Sequence, residues 1–152
     1  MDNNFEVLTD IIAHISEVQE NISEMRAILE ARGISHDRSK LEPIEFDAFV
    51  ETRPKFKKAN YGTPEYQECV EMIKPSIDHH YSNNRHHTAF HKNGFQDMSL
   101  FDILEMLADW KAASRRSKDL TFKASLPIAY KKYSIPENMQ KHIEKTIDHL
   151  GW

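Results

Sequence analysis

The sequence predicts an all-α fold, a single compact helical bundle of five to seven helices over residues 1–152. Three observations carry that reading. A long run of apolar residues recurs at three- and four-residue steps, the period of a helix with one buried face. Two candidate N-terminal caps precede further stripes of that kind. Alternation with a period of two, the mark of a half-buried strand, never lasts beyond a few residues.

The first stripe is Val7, Leu8, Ile11, Ile12, Ile15, Val18, Ile22, Met25, Ile28 and Leu29, and Gly33 is expected to end that helix. After Ile34-Ser35-His36-Asp37-Arg38-Ser39-Lys40, a short helical stretch is expected from Pro43 to Phe49. Pro54, Gly62 and Pro64 bracket a basic, aromatic loop from Arg53 to Tyr61. Another helix should run from Pro64 to Ile77, kinked or restarted at Pro75. Residues 78 to 98 are polar and read as a helix end followed by a functional loop. Ser99, with Asp102 three residues on, resembles a capping box that opens a helix to about Arg116. Ser134, with Pro136 and Glu137, is the expected cap of the last helix, whose stripe is Met139, Ile143, Ile147 and Leu150.

Composition narrows the function. The 24 acidic and 20 basic residues leave a net charge of −4, against non-specific or duplex nucleic-acid binding, which needs a strongly basic field. No apolar run reaches the roughly 20 residues of a membrane span, and Met1-Asp2-Asn3-Asn4 lacks the basic then apolar order of a secretion signal. Cys69 is the only cysteine, which excludes an internal disulfide and a multi-thiolate zinc site. A cytoplasmic protein is expected, and the apolar first helix suits pairing with a second copy as a homodimer.

Histidine stands out: there are 9, and five fall between His79 and His91. The block reads Asp78-His79-His80-Tyr81-Ser82-Asn83-Asn84-Arg85-His86-His87-Thr88-Ala89-Phe90-His91. Its varied residues argue against a tag, and at least two of its histidines are expected to bind metal. The four-residue step from His87 to His91 would put two ligands on one helical face. Thr88 stands where a zinc protease would carry Glu, which excludes that class. His36-Asp37 offers an imidazole and a carboxylate to one hard or borderline cation. His14 lies at the edge of the first apolar stripe and points inward or nearly so. On the helix from Leu100, Asp102, Glu105, Asp109 and Arg116 share one narrow polar stripe. If that face is buried, Asp109 must be paired or bound to metal.

The order His14, His36-Asp37, Asp109 resembles the HD superfamily of metal-dependent phosphohydrolases. His36-Asp37-Arg38-Ser39-Lys40 is similar to the His-Asp-x-x-Lys form of its phosphodiesterase-type members. His79-His80 looks like the pair that supplies a second metal in two-metal members, and Ala108-Asp109-Trp110-Lys111-Ala112 resembles their final Asp helix. The chain is also similar to an HD-like group from bacteria and phages with the same histidine-rich block. The likeness spans roughly residues 5 to 116.

The resemblance implies a phosphohydrolase, nucleotidase or phosphodiesterase in type, acting on a nucleotide or a related small phosphate ester. It implies one or two divalent ions (Mn, Fe, Mg, Zn or Co), the first held by His14, His36, Asp37 and Asp109. Asp37 would bridge to a second ion, with His79, His80, His86, His87 and His91 as candidate ligands. Lys40 would neutralise phosphate charge, Arg85 and Arg116 are weaker phosphate candidates, and Glu105 would orient a ligand or move a proton. Two other classes compete: a non-catalytic nucleotide-sensing module, and a metal-binding bundle without hydrolase activity. The di-iron form of the latter uses Glu-x-x-His pairs, and none occurs here.

Overall fold

The computed structural model describes residues 3–59, 63–115 and 121–152. Six α-helices and three 3-10 turns make up its regular structure, with no strand among the described residues, so the fold is all-α. The chain divides into two units, residues 1–36 and 37–152. No helix among the described residues is long and apolar enough to cross a membrane.

The first unit is one helix, α1, Asn3–Ser35. It runs through Gly33 rather than stopping there, although a mid-helix glycine costs about 0.5–1 kcal/mol relative to alanine. Ser35 helps to finish the helix, its Oγ donating to the carbonyls of Ala31 and Arg32 at 3.0 and 3.2 Å. A lone helix cannot bury its own stripe, and most of the stripe residues, from Val7 to Ile28, are exposed.

The second unit opens on a turn at Asp37, whose φ of 55° is left-handed, a region that Asp and Asn tolerate better than most residues. A 3-10 turn, Arg38–Leu41, leads to α2, Pro43–Phe56. Proline at the first position of α2 loses nothing, because that N–H has no helical partner. This helix reaches seven residues past Phe49, through Pro54, and takes in the first four residues of the expected Arg53–Tyr61 loop. Helix α3, Pro64–Asn83, is capped by Thr63, whose side chain accepts from the Tyr66 N–H. It passes through Pro75 and continues to Asn83, which carries His79 and His80 on a helix rather than a loop. Ser76 donates to the Ile73 carbonyl at 2.8 Å just after the proline.

Only residues 84 to 99 form the expected connection, and two 3-10 turns tighten it, Thr88–Phe90 and Gly94–Asp97. His87 and His91 flank the first turn in extended backbone, with ψ of 133° and 141°, so they do not share a helical face as their spacing suggested. Helix α4, Leu100–Ser114, begins with the expected capping box between Ser99 and Asp102. Helix α5, Phe122–Lys132, has Thr121 as its cap and buries Phe122, Leu126 and Tyr130 at four-residue steps. Helix α6, Glu137–His149, is capped by Pro136 with no side-chain bond, while Ser134 instead takes a turn with φ of 51°. Ile143 and Ile147 are buried as their spacing predicts, whereas Leu150 at the helix end is exposed. These last three helices enclose the apolar core, which runs from Phe95 and Met98 through Ile103, Met106 and Leu107 to Ile143 and Ile147.

Candidate metal centre

The chain brings four ligand atoms together inside the second unit. Asp37, His80, His86 and His87 each offer one donor, and all four lie within 4.8 Å of one another. Asp37 comes from the left-handed turn and His80 from the last turns of α3. His86 and His87 come from the connection that follows. Asp37 caps the 3-10 turn by position but makes no side-chain cap bond, which leaves its carboxylate for other partners. Its Oδ1 stands 3.3 Å from His80 Nε2 and 3.5 Å from His86 Nε2. His80 Nε2 is 2.8 Å from His87 Nε2, and the His86 and His87 rings lie 4.1 Å apart.

Carboxylates behind two of the imidazoles decide which nitrogen faces the group. Glu45, from α2, is fully buried. Its two oxygens accept from His79 Nδ1 at 2.8 Å and His80 Nδ1 at 2.9 Å. Burial pushes the Glu45 carboxyl up, but bonds from His79 and Ser39 and the charge of His80 outweigh it and hold the pKa below the usual value. An ionised carboxylate only accepts, so His80 donates to Glu45 from Nδ1 and turns its Nε2 edge toward Asp37. Behind His86, Glu105 Oε1 lies 3.1 Å from Nδ1, at ion-pair distance. Asn84 steadies the corner, its amide donating to Ser39 Oγ at 2.7 Å and to the His80 carbonyl at 2.8 Å. His87 is held neutral: burial, then the neighbouring charges of His86 and His80, bring its pKa down to about 4.

The remaining sequence candidates take different places. Asp109, half-buried on α4, has a carboxylate oxygen within 4.8 Å of one on Asp37. Asp102 on the same helix is fully buried and Glu105 nearly so, so this polar stripe faces inward and not into solvent. Lys40 pairs with Asp37 Oδ2. His79 uses Nδ1 on Glu45 and places Nε2 3.4 Å from Glu42, which makes it a support for the corner. His91 donates from Nε2 to the Arg85 carbonyl at 2.8 Å and braces the connection. The Arg85 guanidinium rests on Asp102 at 3.3 Å and over the Phe90 ring. His36 is half-buried and precedes Asp37 by one peptide bond. His14 is exposed, and the unbroken α1 carries it about 30 Å along the axis from the His36 end. Arg116 lies outside the described residues. A cavity of about 270 Å³ bounded by Trp110, Ile128, Ala129 and Tyr133 shares no residue with the histidine group.

A family model describes the chain over residues 3–149, nearly its whole length. The chain belongs to the DUF5662 family. That family is described as one of unknown function, and its span includes α1 and every residue of the metal group. No curated protein and no solved structure matches the chain. Glu45 is the functional residue that sequence reasoning missed. Its signal was slight, one acid among Glu42, Asp47 and Glu51 in a short helical stretch, and only the fold brings it to His79 and His80, 34 and 35 residues away.

Proposed function

We propose that the protein is a metal-dependent phosphohydrolase of the HD type, acting on a small phosphate ester such as a nucleotide. One observation carries the reading: His80 and His86 each back onto a carboxylate through Nδ1 and turn Nε2 toward Asp37. A metal-ligating histidine characteristically donates its other ring N–H to such a partner, which fixes the tautomer and raises basicity. His80 Nε2 and His87 Nε2 face each other at 2.8 Å, a spacing that a shared proton or a cation between them satisfies, so the donor set fits an ion. Three imidazoles and one carboxylate suit Zn, Fe, Co or Mn better than Mg, which prefers oxygen ligands and water. The sequence resemblance set out above supports hydrolysis of a phosphate ester over simple metal storage.

A divalent ion held there by Asp37, His80, His86 and His87 would supply Lewis acidity and make water at the site more acidic. The chain's own residues do the rest. Glu45 and Glu105 orient His80 and His86, and Asp109 adds a second carboxylate beside Asp37. Lys40 neutralises Asp37 and brings an ammonium to the group, where it suits a phosphate oxygen and cannot ligate while protonated.

The test pairs elemental analysis of the purified protein with a screen of nucleotide mono-, di-, tri- and cyclic phosphates in Mn, Fe, Co, Zn and Mg. The expected result is a stoichiometric transition metal and turnover of at least one ester. Lys40→Ala should keep the metal and lose roughly tenfold or more in kcat/KM, the worth of one charge-assisted contact. Metal without turnover of any ester would replace the enzyme with a metal-binding module, and no metal at all would end both readings.

A further inference from the structure

The apolar stripe of α1 contains a stricter pattern than an amphipathic helix needs. Leu8, Ile11, Ile15, Val18, Ile22, Met25 and Leu29 follow one another in steps of 3, 4, 3, 4, 3 and 4 residues. That is the seam of a coiled coil, with Leu8, Ile15, Ile22 and Leu29 at one core position and Ile11, Val18 and Met25 at the other. Six of the seven are exposed, from 41% at Val18 to 59% at Ile22. Phe5, Val7, Ile12 and Ile28 flank the seam and are exposed as well.

Such a seam needs a helix of matching length with an unspent seam of its own. Helix α1 is about 50 Å long, and the next longest among the described residues, α3, has 20 residues to its 33. The buried positions of α3, Cys69, Ile73, Ser76 and His80, are already spent inside its own unit. The matching helix is another α1. The exposed apolar side chains offer on the order of 800–1,000 Å² per helix, about what each partner gives to a standard stable interface.

Charge sets the direction. Before residue 20 every charged side chain of α1 is acidic (Glu6, Asp10 and Glu17), and its basic residues, Arg26 and Arg32, lie near the other end. A parallel pair would set acid beside acid and bring two Arg32 side chains together at the seam. An antiparallel pair lays the basic end of one copy along the acidic end of the other, with Arg26 at the level of Glu6 and Asp10. With Ile15 opposite Val18, it layers Leu8 on Met25 and Ile11 on Ile22, and sets Val7 beside Ile28.

We propose that two copies of this chain associate through α1, seam to seam, as an antiparallel coiled coil. Sedimentation equilibrium should then give twice the 17.8 kDa chain mass. Ile15→Glu with Ile22→Glu should give the single-chain mass, while Ser16→Glu with Ser23→Glu, equal in charge but off the seam, should leave the dimer intact. Wild-type protein at the single-chain mass, or a dimer that survives the seam variant, would overturn the pairing. A second measurement does not depend on a destabilised variant: a spin label at Glu6→Cys, in a Cys69→Ala background, read by dipolar coupling. Labels on an antiparallel pair stand about 30 Å apart along the axis. Labels side by side would overturn the direction, and no coupling would overturn the pairing.

Discussion

The two halves of the second unit bury opposite kinds of residue. Between residues 37 and 91 the buried side chains are Ser39, Glu45, Thr52, Cys69, Ile73, Ser76, His80, Asn84 and His86, and only Cys69 and Ile73 are apolar. From Phe95 to Ile147 they are Phe95, Met98, Asp102, Ile103, Met106, Leu107, Phe122, Leu126, Tyr130, Ile135, Ile143 and Ile147, and only Asp102 is charged. The second set is stabilised by removing hydrocarbon from water, at about 25 cal/mol per Å². The first set gains little that way and depends on satisfied hydrogen bonds, which are costly when broken in a dry interior. An ion held by Asp37 and the three histidines would therefore stabilise the half that lacks an apolar core, and metal and fold should be coupled there and not beyond it.

That contrast can be broken in several ways. The largest effect is expected from Asp37→Ala, which removes the only carboxylate of the four-residue group and should abolish stoichiometric metal. Elemental analysis reads the outcome, and a variant that keeps wild-type metal would leave the centre misplaced. Ile147→Ala should cost about 2–5 kcal/mol of global stability in denaturant melts, as buried isoleucine truncations do, with metal affinity little changed. Metal loss in that variant would mean that the two halves are not energetically distinct. Glu45→Gln should weaken metal binding by roughly 10- to 100-fold, because an amide can no longer accept from both imidazoles through two anionic oxygens. Unaltered affinity in a competition titration would make Glu45 a mere packing residue.

A smaller effect concerns protons. His87 has a folded pKa of about 4, below the ordinary value of 6.5. The unfolded chain therefore binds more protons between those values, and the metal-free protein should lose stability as pH falls from about 6.5 to about 4. Above 6.5 this group contributes no slope. Thermal melts across that range should flatten in His87→Gln, and an unchanged slope would assign the effect elsewhere. The smallest effect is expected at His142 and His149, both exposed on α6, where alanine should alter neither metal nor stability measurably.

The sequence made the helical halves legible to different depths. Ile143 and Ile147 announced a buried face because apolar burial imposes a period, and Ser99 with Asp102 announced the start of α4 because a cap has a local code. Pro54 misled: it weakens a helix locally, and here tertiary packing outweighs that cost, so α2 runs on. Helix α5 went unread because Phe122, Leu126 and Tyr130 form a stripe of only three residues with Pro127 within it. For the site, histidine abundance pointed to residues 79 to 91 but not to which members converge. His91 and His79 differ from His86 and His80 only in where a 3-10 turn and a helix end aim their rings, and no spacing rule encodes that. Glu45 was silent because its role depends on two side chains more than thirty positions away.

The left-handed backbone at Asp37 makes that position subject to two requirements at once, one on the main chain and one on the side chain. Glycine satisfies the first and not the second, glutamate the second at a conformational cost, and alanine neither. Asparagine keeps the turn and a side chain of the same shape while giving up the charge. The set Asp37→Gly, Asp37→Asn and Asp37→Glu therefore dissects the residue into its geometric and ionic halves, and it leaves few mutational routes by which this corner can drift without losing one of them.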